Sequence, residues 1–262
     1  MTVMKKILVL LSLLILATSC DWFVFDNMEQ WDAQVEGRII DSKTGENVQM
    51  AWPNNSRIEV YELGWDDRVS EKWYVKCNGT YVNKLVWAGK YEMETVDRNF
   101  YPVKIPFELQ KGANTVDFTV TPYARIIDPQ ITYEDGKIVA RFKAEHADPT
   151  KTTNMDVALF GFTDRWVSDG NNNFDFDKVQ KDGKKKKIKT ADGQTIIELS
   201  IDPTKASGTQ FVYKRDHFFR IGAVATGSGV NSGKRYNFSP VFKVSSDFSK
   251  VEIVTNWDED PE

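Results

Sequence analysis

Three tryptophans lie in polar, turn-forming surroundings: Trp52 before Pro53-Asn54-Asn55, Trp65 before Asp66-Asp67-Arg68, and Trp166 between Arg165 and Asp169. A sugar ring presents C–H faces bordered by hydroxyls, so an indole face beside Asp, Asn or Arg supplies both kinds of contact. Trp52, Trp65, Arg165, Trp166 and the nearby Phe174 are therefore the candidate carbohydrate-binding residues. Packing in a core or against another protein is the competing role for each tryptophan. A second pattern, Asp169, Asn171, Asn173 and Asp175, puts side-chain oxygens at alternate positions, as a tight calcium loop requires. It lacks the register of an EF-hand and a closing glutamate at the twelfth position, so an Asn/Asp-rich turn competes with a metal site.

Catalytic patterns are missing from the sequence. No G-x-S-x-G elbow and no H-E-x-x-H occurs, and His146 and His217 are too few and too dispersed for a triad or a zinc site. Residues 227–235 hold glycines and a lysine but depart from a phosphate loop. Ser228 stands where its first glycine belongs, and Arg235 stands where Ser or Thr would follow the lysine. This stretch reads as a hairpin loop. The 38 acidic residues always offer carboxylate pairs, and none is singled out for glycoside hydrolysis. The expectation is a non-enzymatic protein without a cofactor.

The elements that position these residues are bounded by composition. The 262 residues, 41% hydrophobic and 13% aromatic, suffice for two globular domains. A net charge of −4 argues against a nucleic-acid partner. The lysine-rich run at 181–187 reads as the solvated tip of a hairpin.

Lys5 and Lys6 precede an apolar run over residues 7–17. As a helix this run reaches only about 16 Å, half of a hydrocarbon core of about 30 Å, so residues 1–19 read as a signal peptide. Leu16-Ala17-Thr18-Ser19-Cys20 resembles the bacterial lipobox. The resemblance implies diacylglycerol on the Cys20 thiol, a membrane partner through that anchor, and cleavage just before it. Cys77 then has no disulfide partner and is expected as a small, partly buried strand residue. Without Lys5 and Lys6 the mature chain carries 32 basic against 38 acidic residues, a charge of −6. Residues 20–34 are expected as a tether, whose Trp22, Phe23, Phe25 and Trp31 suit packing on a membrane, on a partner or on the first domain.

Beyond the tether, short alternating segments are separated by Gly, Asn, Asp or Pro, and no helical period is sustained. Strands are predicted at 35–40, 57–63, 72–77, 91–96 and 115–121. Thr121-Pro122 marks a domain boundary, because proline ends a ladder. A second series follows at 125–133, 137–143, 156–163, 194–201 and 217–225, with a tight turn at Glu134-Asp135-Gly136-Lys137. Residues 164–192 read as a long irregular insertion and 251–262 as an acidic tail.

Glu36-Gly37-Arg38-Ile39-Ile40-Asp41 with Ser42-Lys43-Thr44-Gly45-Glu46, then Asn78-Gly79-Thr80-Tyr81 and Ala88-Gly89-Lys90-Tyr91, resembles the carboxypeptidase-regulatory-like, transthyretin-like sandwich. Asn47 stands where that pattern has proline. The resemblance implies a β-sandwich over 35–121 that is commonly a non-catalytic attachment. His217-Phe218-Phe219-Arg220-Ile221-Gly222-Ala223 with Tyr236-Asn237-Phe238-Ser239-Pro240 resembles the last strands of a fibronectin type III domain, here placed at 123–250. His217 takes the place of the corner tyrosine, whose hydroxyl bonds back to the chain. The fold class expected is all-β, two β-sandwich domains in tandem, transthyretin-like then fibronectin-III/Ig-like.

Together with Tyr61-Glu62-Leu63-Gly64-Trp65, these features resemble a Bacteroidota lipoprotein family known as domain of unknown function 3823. That resemblance implies a lipid-anchored outer-membrane protein, exposed at the cell surface and accessory to a SusC/SusD-type importer. It would bind polysaccharide or oligosaccharide, or dock onto the importer. A structural or assembly protein of the envelope without a glycan ligand is the alternative.

Overall fold

The computed structural model describes residues 30–52, 57–95, 98–172, 185–188, 191–203, 214–227, 230 and 235–257. Every regular element among them is a strand. The first eight are β1 (Ala33–Asp41), β2 (Arg57–Glu62), β3 (Ser70–Tyr74), β4 (Thr80–Val86), β5 (Gly89–Thr95), β6 (Val103–Leu109), β7 (Gly112–Thr115) and β8 (Phe118–Val120). One sheet runs β3-β2-β5-β6 and the other β4-β1-β7, with β8 continuing beside β1 where β7 stops. In β1, Val35 and Ile39 turn inward while Gln34, Glu36 and Arg38 face water, the period of two that a sheet with one wet face requires. Val35, Ile39, Ile58, Val60, Tyr91, Met93 and Phe118 fill the space between the sheets.

The motif glycine of β1 has a steric origin. A Cβ at Gly37 would lie 1.7 Å from the carbonyl oxygen of Val116, where the chain passes from β7 to β8. The Tyr81 hydroxyl donates to the same oxygen at 2.6 Å. No side chain fits there, so the backbone approach demands glycine.

The second sandwich comprises β9 (Ala124–Glu134), β10 (Lys137–His146), β11 (Asn154–Phe162), β12 (Lys185–Ile188), β13 (Ile197–Ile201), β14 (His217–Thr226), β15 (Asn237–Phe238), β16 (Phe242–Val244) and β17 (Val251–Ile253). Sheet β13-β10-β9 faces sheet β12-β11-β14-β16-β17, and β15 also pairs with β14. Ile138, Phe142, Val157, Leu159, Phe219 and Ile221 belong to the core between them. Asp135 and Gly136 have φ of 49° and 74°, the left-handed pair that a two-residue hairpin needs. At the place of the corner tyrosine, the Nδ1–H of His217 donates to the Arg215 carbonyl at 2.9 Å. The all-β class and the two sandwiches match the sequence expectation.

Several boundaries differ. β6 was hidden by Pro106, which is tolerated because β6 is a sheet edge, and β7 holds no large apolar residue to betray it. The insertion at 164–192 contains β12, so Lys185, Lys186 and Lys187 form part of an edge strand on β11 instead of a hairpin tip. Lysine on an edge discourages pairing with another sheet. Residues 181–184 lie outside the described residues. The segment after 250 is not wholly a tail: β17 extends the sheet and Trp257 is buried. Cys77 is fully buried instead of partly so and follows β3 in a turn, where burial pushes its thiol pKa up.

Candidate functional site

β11 and β14 are buried on both faces, which erases the alternation from Phe219 to Ala225. The cause is the first sandwich, whose loops cover the outer face of this sheet. Ala51 and Cys77 join Ala158, Phe160, Val224, Phe238 and Val241 in an apolar cluster between the domains. Within it Arg220 is fully buried. Its Nε donates to the Ser239 carbonyl at 2.8 Å, Nη1 to Met50 at 2.7 Å and Nη2 to Cys77 at 2.9 Å. The guanidinium carbon lies 4.4 Å from the centre of the Phe238 ring. Burial pushes the pKa down to about 10, so the group is still a cation at neutral pH. Three carbonyls from two domains satisfy it.

Two further contacts lock the junction. The Asn99 amide donates to the carbonyls of Gln49 and Tyr236, and the Asn237 amide donates to the Asn99 carbonyl. Arg125 grips Asp41 bidentately at 2.5 and 2.7 Å and reaches Glu145 at 3.1 Å. Burial pushes the Asp41 carboxyl up, but bonds from Arg125 and the Lys43 amide outweigh it and hold it below the usual range.

This junction assembles an aromatic strip. The ring centre of Trp52 lies 6.2 Å from that of Tyr74 and 5.2 Å from that of Trp166, and Trp166 lies 5.6 Å from Trp257. Trp52 and Trp166 are half-buried, Tyr74 is 54% exposed and Trp257 forms the buried end. Arg165 places its guanidinium 5.4 Å from Trp166 and 6.0 Å from Trp257, and donates to the Asn256 carbonyl. The loop after β11 is tied to the first domain. The Ser168 hydroxyl donates to the Trp52 carbonyl at 2.9 Å, and the Asn171 amide donates to the carbonyls of Trp52 and Trp166.

Of the residues singled out from sequence, the structure brings together Trp52, Arg165 and Trp166. Trp65 is elsewhere: β2 and β3 pair with Arg57 opposite Tyr74 and Tyr61 opposite Ser70, so Trp65 lies beyond the far end of a hairpin about 13 Å long. Phe174, Asn173, Asp175 and Cys20 lie outside the described residues. Burial pushes the Asp169 carboxyl up, and the Asn171 amide group is engaged with the two tryptophan carbonyls. Among the described residues no cluster of three His, Cys, Asp or Glu is placed to hold a metal. Tyr74 and Trp257 were missed, although Trp257 in an acidic terminus and Tyr74 beside Trp73 are visible aromatic signals. A cleft of about 350 Å³ also opens at the junction, lined by Asp41, Asn47, Gln49, Ile126, Pro129 and Phe238 among others. Its one aromatic ring, Phe238, is buried, so the cleft offers no sugar platform.

Known proteins share this architecture. The profile described as "Protein of unknown function (DUF3823) N-terminal domain" matches residues 33–121. A solved structure from Bacteroides uniformis, described as a "putative carbohydrate binding protein", is 31% identical with a TM-score of 0.72, over 82% of this chain and 99% of that one. The chain belongs to the DUF3823 family. DUF3823 proteins from Bacteroides ovatus and Parabacteroides merdae share the fold at 17% and 19% identity, with TM-scores of 0.63 and 0.61. Each is matched over 82% of this chain and 99% of its own. No curated protein matches the chain. The DUF3823 relatives named above are described by family or by binding, none by a reaction.

Proposed function

We propose that this DUF3823 protein is a non-catalytic lipoprotein of the outer membrane, held by an acylated Cys20 and displayed at the cell surface. It binds polysaccharide as an accessory to a SusC/SusD-type importer. The observation that carries this reading is the strip of Tyr74, Trp52 and Trp166 with Arg165 beside it, built from both domains. Neighbouring rings in it are tilted by 59° and 35°, which suits a soluble, twisting chain better than a flat crystalline face. The description of the Bacteroides uniformis relative supports the same ligand class.

Affinity electrophoresis of the mature chain through gels containing candidate polysaccharides tests the reading. Retardation that Trp52→Ala abolishes and Trp65→Ala preserves is the expected result. Absence of retardation by every polysaccharide, with no co-purification with a SusC/SusD pair, overturns it.

A further inference from the structure

Exposed apolar side chains gather at one end of the first sandwich, the end farthest from the domain junction. β1 begins there, with Ala33 opposite Val86 and Gly112. Asp32 fastens the incoming chain, accepting from the Ala88 amide at 2.7 Å and pairing with Lys111 at 3.0 Å. β2 ends there as well: Glu62 pairs with Tyr91, and the Leu63 amide donates to the Lys90 carbonyl at 2.8 Å. The β2–β3 loop and the end of β4 therefore flank the point where the chain emerges. Trp31, Leu63, Trp65, Val69 and Leu85 are all exposed on this end, Trp65 at 71% and Val69 at 73%.

We propose that this end of the folded domain rests on a lipid bilayer surface, with Trp31 and Trp65 seated at headgroup level. The inference relies on the lipid anchor of the preceding section. Nine residues separate Cys20 from Gln30, a reach of at most about 36 Å, so an acylated chain keeps this end, where β1 begins, closest to its anchor. At such proximity a small apolar contact suffices, because the effective concentration is already high. Tryptophan, with an apolar body and one N–H, is the side chain that favours membrane interfaces. Arg68, Lys84, Lys90 and Lys111 are interspersed at this end with Asp32, Glu62, Asp66 and Asp67, so contact does not depend on anionic headgroups. The aromatic strip then lies at the opposite end of the first sandwich, turned away from the bilayer.

The test uses the full acylated chain in phosphatidylcholine vesicles. Fluorophores are attached to Val69→Cys and Leu85→Cys at this end, and to Tyr133→Cys and Ile196→Cys on the second sandwich. All four positions are exposed, so labelling spares the core, and the native Cys77 is buried. Nitroxide lipids should quench positions 69 and 85 at least threefold more than 133 and 196. Equal, weak quenching at all four positions on an acylated, vesicle-bound chain overturns the proposal alone. A chain found unacylated by mass spectrometry overturns the anchor reading and the proposal with it. Labels that are water-exposed on vesicles but shielded in native membrane fragments assign the surface to a protein partner and also overturn it.

Discussion

Replacing Arg220 by methionine tests whether the junction makes the two sandwiches one unfolding unit. Methionine preserves the apolar stem but removes all three donors, leaving the carbonyls of Ser239, Met50 and Cys77 without this partner in a dry interface. The Cys77 carbonyl still accepts from the Met50 amide at 2.9 Å, so two acceptors are left unsatisfied, and at about 1–3 kcal/mol each they would cost about 2–6 kcal/mol. Relief from desolvating a guanidinium offsets several kcal/mol of that. The net loss expected is about 1–3 kcal/mol. Arg220→Lys should not restore it, since one ammonium lacks the planar fork that reaches three carbonyls. Urea unfolding followed by tryptophan fluorescence is the assay, because Trp52, Trp166 and Trp257 all flank the junction. The variant should unfold at lower urea and in two separated transitions. A loss below about 1 kcal/mol with a single transition of unchanged slope would refute the argument that Arg220 couples the domains.

Other outcomes follow from the same packing. Gly37→Ala should cost more than about 3 kcal/mol or abolish soluble yield, given the 1.7 Å approach to Val116. Gly89→Ala, whose Cβ would meet nothing nearer than 3.8 Å, should stay within about 1 kcal/mol when both variants are compared in urea unfolding. Acid should loosen the fold in two stages. Burial lowers the His146 pKa, so the unfolded chain binds its proton more readily and stability falls as pH drops below about 6.5. The Asp41 carboxyl is held low in the folded state, so its contribution is present above about pH 4 and lost as pH falls further. Urea midpoints across pH 3–8 check both, and Asp41→Asn should lessen the lower stage, which other low-held carboxyls such as Asp117 and Asp216 share, and leave the upper stage unchanged.

How far the sequence could be read depended on whether its signals were local. β1 was legible because one of its faces is wet and Val35 and Ile39 alternate with polar neighbours. β14 reads as a continuous apolar run because the first domain covers its second face, and the arginine within that run was the trace of the junction. Trp52 and Trp65 carry the same local signature of an indole among turn residues, yet one faces the domain junction and the other the opposite pole. Only the pairing of β2 with β3 separates them. The contact of Trp52 with Trp166 spans the two domains, and no spacing in the chain encodes it.

We propose that a polysaccharide lies along the strip at the domain junction. Once a retained polysaccharide is in hand, its dissociation constant should be measured by isothermal titration for the wild type and for Tyr74→Ala, Trp166→Ala and Trp65→Ala, with melts confirming folding. Tyr74 is the cleanest site, being more than half exposed. Loss of one ring contact worth about 1.4 kcal/mol should weaken binding about tenfold for Tyr74→Ala and Trp166→Ala. Trp65→Ala should bind as the wild type does. Unchanged affinity in the two strip variants, or a loss confined to Trp65→Ala, would contradict the account.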